Sequence, residues 1–237
     1  MIRSIKQLYG DKLGATDGEI GEVKDFYFDD QRWAVRYLVA DTGSWLTGRQ
    51  VLISPHALDH VYQSAKLLFV KLTRKQIEDS PAIESHQPVS RQYEIRYYQY
   101  YGWPDYWQGD GIWGHSGFPM AARPSATLMS EEAVANGTQA DSAAAHLRSA
   151  QAVTGYHVKG LDGLTGHICD FMLDDESWTI QHIVVKTGHR FSGKEVEIPT
   201  DKVSRISYEE STVFVNLSVA DIEQSPAHPL TPVGVAA

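Results

Sequence analysis

Short apolar runs, broken by glycine and by paired aspartates, dominate the chain, and their alternation has a period of two. Val23–Phe28 and Ile168–Leu173 are such runs, each closed by Asp-Asp, a turn-forming pair whose carboxylates bond nearby backbone amides. Trp33–Ala40 and Trp178–Val185 follow at once, rich in aromatic and β-branched residues, so each pair of runs predicts a hairpin. Alternation places Trp33, Val35, Tyr37 and Val39 on one face of the first, and Trp178, Ile180, His182 and Val184 on one face of the second. Gly43 to Gly48, and Gly188 to Gly193, bound a loop before another strand, Gln50–Ile53 or Glu195–Ile198. Leu67–Leu72 and Val213–Leu217 supply the last strand of each set. Thr73-Arg-Lys-Gln76 has capping-box spacing and Ser218-Val-Ala-Asp221 is a variant of it; each predicts a brief helical turn, stopped by Pro81 or Pro226.

The two sets are related in sequence. Shifting the chain by 145 residues lays Ile2–Pro81 on Leu147–Pro226 without a gap, with 24 identities over 80 positions. Arg3-Ser4 meets Arg148-Ser149, and Asp17-Gly18 and Gly21 meet Asp162-Gly163 and Gly166. Asp25-Phe26, Asp29-Asp30 and Trp33 meet Asp170-Phe171, Asp174-Asp175 and Trp178, and Thr42-Gly43 meets Thr187-Gly188. Such self-similarity predicts a duplicated domain of about 80 residues. The expected organisation is a first copy over 1–81, a connector over 82–146, a second copy over 147–226 and a tail over 227–237. Several short strands per copy point to an all-β chain of two small antiparallel barrels with short terminal helical turns, since closure removes exposed edges. A barrel of this size buries little apolar area, so the copies are expected to pack on each other, on the connector or on a second subunit.

The connector has another composition. Arg91–Trp113 holds Tyr93, Tyr97, Tyr98, Tyr100, Tyr101 and Tyr106 with Trp103, Trp107 and Trp113. Disordered linkers are poor in aromatics, so this stretch is expected to be ordered, either packed across a barrel or displayed as an interaction surface. Gly114–Ala145, rich in small residues and proline, is the expected mobile part. Overall, 42% apolar and 22% charged residues match ordinary globular usage. A net charge of −9 argues against broad nucleic-acid binding, which needs a basic face. The opening MIRSIKQLYGDK has no following apolar stretch and no run approaches a membrane span, so the expected location is the cytoplasm or the cytoplasmic face of the inner membrane.

Candidate chemistry is sparse. Cys169 stands alone, excluding an internal disulfide and a multi-cysteine metal site, and reads as a small buried side chain. No histidine pair has metal-ligand spacing, and no phosphate-cradling or nucleophile-elbow motif occurs. No catalytic residue, metal or cofactor is therefore expected. Asp25 and Asp170 interrupt apolar strands, and a carboxylate buried there needs hydrogen bonds; the expectation is that each ties down a neighbouring turn. Arg49 and Lys194 follow aligned glycines and mark one local cation per copy.

Gly21-x-Val23-x-Asp25-Phe26-x-x-Asp29-Asp30-x-x-Trp33, followed by Thr42-Gly43 and Gly48-Arg49, resembles the PRC-barrel domain, as does its counterpart from Gly166. That family takes its name from the cytoplasmic domain of the H subunit of purple-bacterial photosynthetic reaction centres and includes a domain of a ribosome maturation factor. The resemblance covers about 160 residues and implies small β-barrels used as adaptors, without catalysis. It makes a protein-binding or assembly module the first expectation, with protein partners, a peripheral membrane complex or self-association open. An accessory of the photosynthetic apparatus and a ribosome-associated factor are the alternatives. The expected surface comprises Trp45, Arg49, Tyr97, Tyr98, Tyr100, Tyr101, Trp103, Trp107, Trp113, Arg190 and Lys194, with Gly21, Asp25, Trp33, Gly43, Gly166, Asp170, Trp178 and Gly188 as structural positions.

Overall fold

The computed structural model describes residues 1–46, 49–58, 66–81, 89–120, 147–188 and 193–229. Most of its regular structure is strand, and the chain divides into two compact units. One comprises Met1–Gln151 with Leu173–Thr179, the other Ala152–Met172 with Ile180–Ala237.

In the first unit, β1 (Ile2–Ser4) and the single turn α1 (Ile5–Leu8) lead into β2 (Lys12–Ala15), β3 (Gly18–Asp29), β4 (Ala34–Asp41), β5 (Gln50–Ile53) and β6 (Leu67–Phe69). Neighbours from β2 through β5 pair antiparallel. β6, however, joins β2 in parallel, with Lys12 opposite Leu67 and Gly14 opposite Phe69. The expected all-antiparallel order is corrected here: the whole hairpin separates these strands in sequence, so no tight turn dictates their relative direction. Beyond them Leu58 bridges Val70, and the Lys71 amide donates to the Ala57 carbonyl at 2.7 Å. The sheet curls along β3, whose pairing with β4 slips at Val23/Asp25 and again at Tyr27/Phe28; such bulges bend a strand.

The turn after β3 also departs from expectation. Asp29 Oδ1 accepts from the amides of Gln31 (2.9 Å) and Arg32 (3.3 Å), and Trp33 closes the turn at φ 54°, in the left-handed region. Trp33 thus ends the turn instead of starting the strand, and stacks on Phe28 at 5.4 Å. Nor does β4 have one buried face, because every residue from Ala34 to Ala40 is buried, Arg36 included.

α2 (Arg74–Glu78) carries the expected capping box, Thr73 with Gln76. The connector adds an unexpected helix, α3 (Arg91–Tyr101), and β7 (Leu147–Ser149) then pairs with the end of β3, Tyr27 opposite Ser149. Arg148 Nε donates to Asp30 Oδ2 at 2.7 Å. Asp25, buried, accepts from the Ser149 hydroxyl and from the Gln151 amide at 3.0 Å. Its Oδ1 also accepts from the adjacent Phe26 amide at 2.7 Å, so it joins its own strand to residues more than 120 positions away and ties down no neighbouring turn. Burial raises the Asp25 carboxyl above its usual range, and these hydrogen bonds pull against that rise. The mirror arrangement lies in the same unit. Arg3 Nε donates to Asp175, and the Met1 amine sits 3.0 Å from Asp174 Oδ1 and 2.6 Å from Asp175 Oδ1. Each opening strand thus sends its arginine to the second aspartate of the turn belonging to the other sequence segment.

The second unit holds β8 (His157–Lys159), β9 (Leu164–Asp174) up to Met172, β10 (Thr179–Thr187) from Ile180, β11 (Glu195–Pro199), β12 (Val203–Ser207) and β13 (Thr212–Val215), followed by α4 (Val219–Gln224), which has the Ser218–Asp221 box. β12 was not expected from the sequence. β13 pairs with β8 in parallel, His157 opposite Thr212, and Ile183 faces Ile198 across β10 and β11. Each of these pairings is the first unit's shifted by 145. The shared signature has a steric basis at Gly21 and Gly166. A Cβ there would lie 1.9 Å from the Asp41 carbonyl oxygen or 2.2 Å from that of Lys186. Cys169 is half-buried, its thiol 3.4 Å from the Val184 carbonyl. Gly21→Ala is expected to cost about 4 kcal/mol or more, or to abolish soluble expression; urea unfolding against wild type, with Gly117→Ala as a control in open space, measures it.

Candidate functional site

The aromatic connector is built around α3. Ser90 caps it by accepting from the Tyr93 amide (3.2 Å), and Gly102, at φ 69°, ends it in a left-handed turn. Residues three and four apart share a helix face, so Arg91, Glu94, Tyr97, Tyr98 and Tyr101 project together. Tyr97 and Tyr98 are fully buried, their rings 5.5 and 6.5 Å from Tyr37. The Tyr97 hydroxyl donates to the Leu52 carbonyl (2.9 Å) and accepts from the Ser54 amide (3.0 Å), tying the helix to β5. Trp113, also buried, donates through Nε1 to the Ser177 carbonyl at 2.8 Å.

Glu94 is the polar centre of this packing. It is fully buried and accepts from the hydroxyls of Tyr37 (2.9 Å) and Tyr106 (2.7 Å), while Arg91 lies 2.8 Å from its other oxygen. Burial pushes its carboxyl upward; the Arg91 charge and the two hydroxyls oppose that. Around it, burial drives the Tyr37 and Tyr106 phenols well above their ordinary range. His56 stacks on Trp103 at 5.5 Å and meets Trp113 edge-on at 5.1 Å. Its Nδ1 is 2.9 Å from the Ser54 hydroxyl, and burial, with Arg36 nearby, lowers it from 6.5 to about 4.

Of the expected surface, Tyr97, Tyr98 and Trp113 are therefore core, and Tyr101, Trp103 and Trp107 are half-buried among the same rings. Tyr100 is exposed, and its hydroxyl donates to the Gln76 carbonyl at 2.9 Å. Arg49 donates to the Glu78 and Ser80 carbonyls at 3.1 and 2.8 Å. Lys194 reaches the corresponding carbonyls of Glu223 and Ser225 at 3.5 and 3.2 Å. Both cations close helix ends. Arg190 and Gly48 lie outside the described residues, as does 121–146 of the connector.

Trp45 takes no part in the connector's ring cluster. It lies in the loop opened by Gly43, with the Arg74 guanidinium 4.6 Å from its ring, and it borders a groove of about 520 Å³. Glu19, Glu22, Asp41 and Lys12 line that groove; the Lys12 amine is 3.3 Å from Glu19. Four groups that sequence reasoning passed over, Arg36, Tyr37, Arg91 and Glu94, organise the connector. The one available signal was that the second segment has Gln181 and His182 where the first has Arg36 and Tyr37.

Comparison with protein-family models and with curated proteins finds no match for this chain. Among the described residues no helix is long and apolar enough to cross a membrane.

Truncating Glu94 to Ala strands two tyrosine hydroxyls and Arg91, so a loss of about 3–5 kcal/mol is expected, with Glu94→Gln retaining more; chemical denaturation measures both. For His56 the unfolded chain takes up a proton near 6.5, whereas the folded chain refuses it until about 4. Its contribution is thus present above 6.5 and lost as the pH falls through that window, by up to about 3 kcal/mol. Glu94 and Asp25, with raised carboxyls, act in the opposite sense in the acid range. The stability difference between wild type and His56→Gln, followed from neutral pH downward, isolates the histidine and should shrink.

Proposed function

We propose that this chain is a duplicated pair of PRC-type barrels acting by binding, not catalysis, as a protein-assembly module at the cytoplasm or a membrane surface. Support for the duplication comes from the strand registers that recur at a spacing of 145, down to the parallel closing strand. The Leu58–Val70 bridge, which links the ends of the strand order, supports closure of the first barrel. The polar groups of the connector favour a binding role, since Glu94 is occupied by Tyr37, Tyr106 and Arg91.

The observation that carries the reading is the groove beside Trp45. A half-buried indole, fixed by a guanidinium and bordered by three carboxylates that share Lys12 and Lys24, suits a partner segment that offers an apolar side chain beside a cation able to compete with those exposed lysines. The aligned residue of the second segment is Arg190, so the second loop would take a different partner. Affinity purification from the native host, with wild-type chain and Trp45→Ala compared by quantitative mass spectrometry, tests this. At least one protein should fall about tenfold or more in recovery with the variant; an unchanged partner list would overturn the assignment of this groove.

A further inference from the structure

A second cavity, of about 170 Å³, lies in the first unit where the connector meets the turn after β3. Arg32, Arg36, Arg91, Tyr106 and Trp107 line it, together with Asp29. Three guanidiniums therefore face one carboxylate, and that carboxylate is already engaged. Its Oδ2 accepts from Arg36 at 3.0 Å and its Oδ1 from the Gln31 and Arg32 amides at 2.9 and 3.3 Å.

The rings fix the cations without neutralising them. The Arg36 guanidinium lies 3.9 Å from the Tyr106 ring centroid and the Arg91 guanidinium 4.2 Å from that of Trp107. Glu94 balances Arg91 from behind, at 2.8 Å, and is not part of the lining. Arg36 has a fully buried side chain and donates to the Ile112 carbonyl at 2.6 Å, yet its Nε has no hydrogen-bond partner among the described residues. A buried guanidinium N–H without an acceptor is costly, and it leaves Arg36 contributing positive charge from behind the cavity wall. Arg32, by contrast, is exposed and donates to the Gly111 carbonyl.

We propose that this cavity binds a small oxyanion, the carboxylate or phosphate group of a compact ligand, held between Arg32 and Arg91 with Arg36 behind them. Guanidiniums match both groups in a two-pronged geometry, which a lysine cannot copy. At roughly 30 Å³ for each water-sized group, the volume admits about five or six, the size of a phosphate or a small carboxylic acid. The site does not depend on the barrel assignment or on the Trp45 groove, and its polarity is the reverse of that groove's.

Isothermal titration of the full chain with inorganic phosphate and with succinate, at matched chloride concentration, tests the proposal; neutral succinamide is the control. Saturable binding of phosphate alone indicates a phosphate-bearing ligand, and of succinate alone a carboxylic acid; either supports the site, and the diamide should give no heat. Arg32→Gln, which leaves the buried pairs intact, should weaken binding about tenfold or more without changing the melting temperature. Arg91→Lys should weaken it too. On the unaltered chain, the arginine Nε–H signals of Arg32, Arg36 and Arg91 should shift saturably in nitrogen–proton spectra, which reads the site even if a variant fails to fold. No saturable binding of either anion up to about 10 mM would overturn the proposal. Unchanged affinity in Arg32→Gln, or titration that leaves the three arginine signals in place, would do the same.

Discussion

A carboxylate set into an apolar strand has to find donors, and the way Asp25 finds them constrains the first unit. Its partners are the Ser149 hydroxyl and the Gln151 amide, while Arg148 beside them meets Asp30. β7 is thereby fixed along the end of β3, although the connector separates the two in sequence. Charge–charge attraction at a partly exposed site contributes little by itself. The constraint comes from burial, because removing the Ser149 hydroxyl costs a buried carboxylate a donor where water does not reach, whereas its other oxygen keeps the Phe26 amide as well as that of Gln151. Arg3 with Asp175 repeats the arrangement, so two hairpin turns are each held by a strand from the far part of the chain.

Polar satisfaction of the same kind shapes the connector. Tyrosine and arginine recur there because each combines a large flat surface with donors at its rim, which suits packing around a buried acid. Glu94 collects the hydroxyls of Tyr37 and Tyr106 and the Arg91 guanidinium, and the surrounding rings exclude water. Arg36 crosses this layer with its donors only partly used, its Nε having no hydrogen-bond partner among the described residues. The acidic, half-apolar groove at Trp45 and the cationic cavity at Arg91 present opposite chemistry from one unit.

Sequence period carried the sheet well. Both hairpins and both capping boxes lie where alternation and turn residues put them. Periodicity fails at Trp33, because a residue that ends a turn and one that begins a strand look alike in a string; only the left-handed φ distinguishes them. It fails also for α3, where apolar and polar rims coexist on every tyrosine, so no clean stripe marks the buried face. The parallel pairing of β6 with β2 was invisible because strand direction is a property of long-range pairing. The roles of Arg3, Arg148, Asp30 and Asp175 were nevertheless legible in principle. Two oppositely charged residues that both recur at the same spacing are candidates for a pair, whereas reading Asp-Asp as turn chemistry alone stops one step short.

The loop after Thr42 has a further consequence. Thr42 Oγ1 donates to the Arg49 carbonyl at 2.5 Å, Thr187 Oγ1 donates to that of Lys194 at 3.1 Å, and the side chains of Arg49 and Lys194 are anchored to the helix ends beyond. The stem is locked while the residues within it, Ser-Trp-Leu-Thr in one segment and His-Arg-Phe-Ser in the other, bear no resemblance. A clasp of this kind holds its two ends through backbone carbonyls and recurring threonines, so the stem's hydrogen bonds set no requirement on the side chains strung between them.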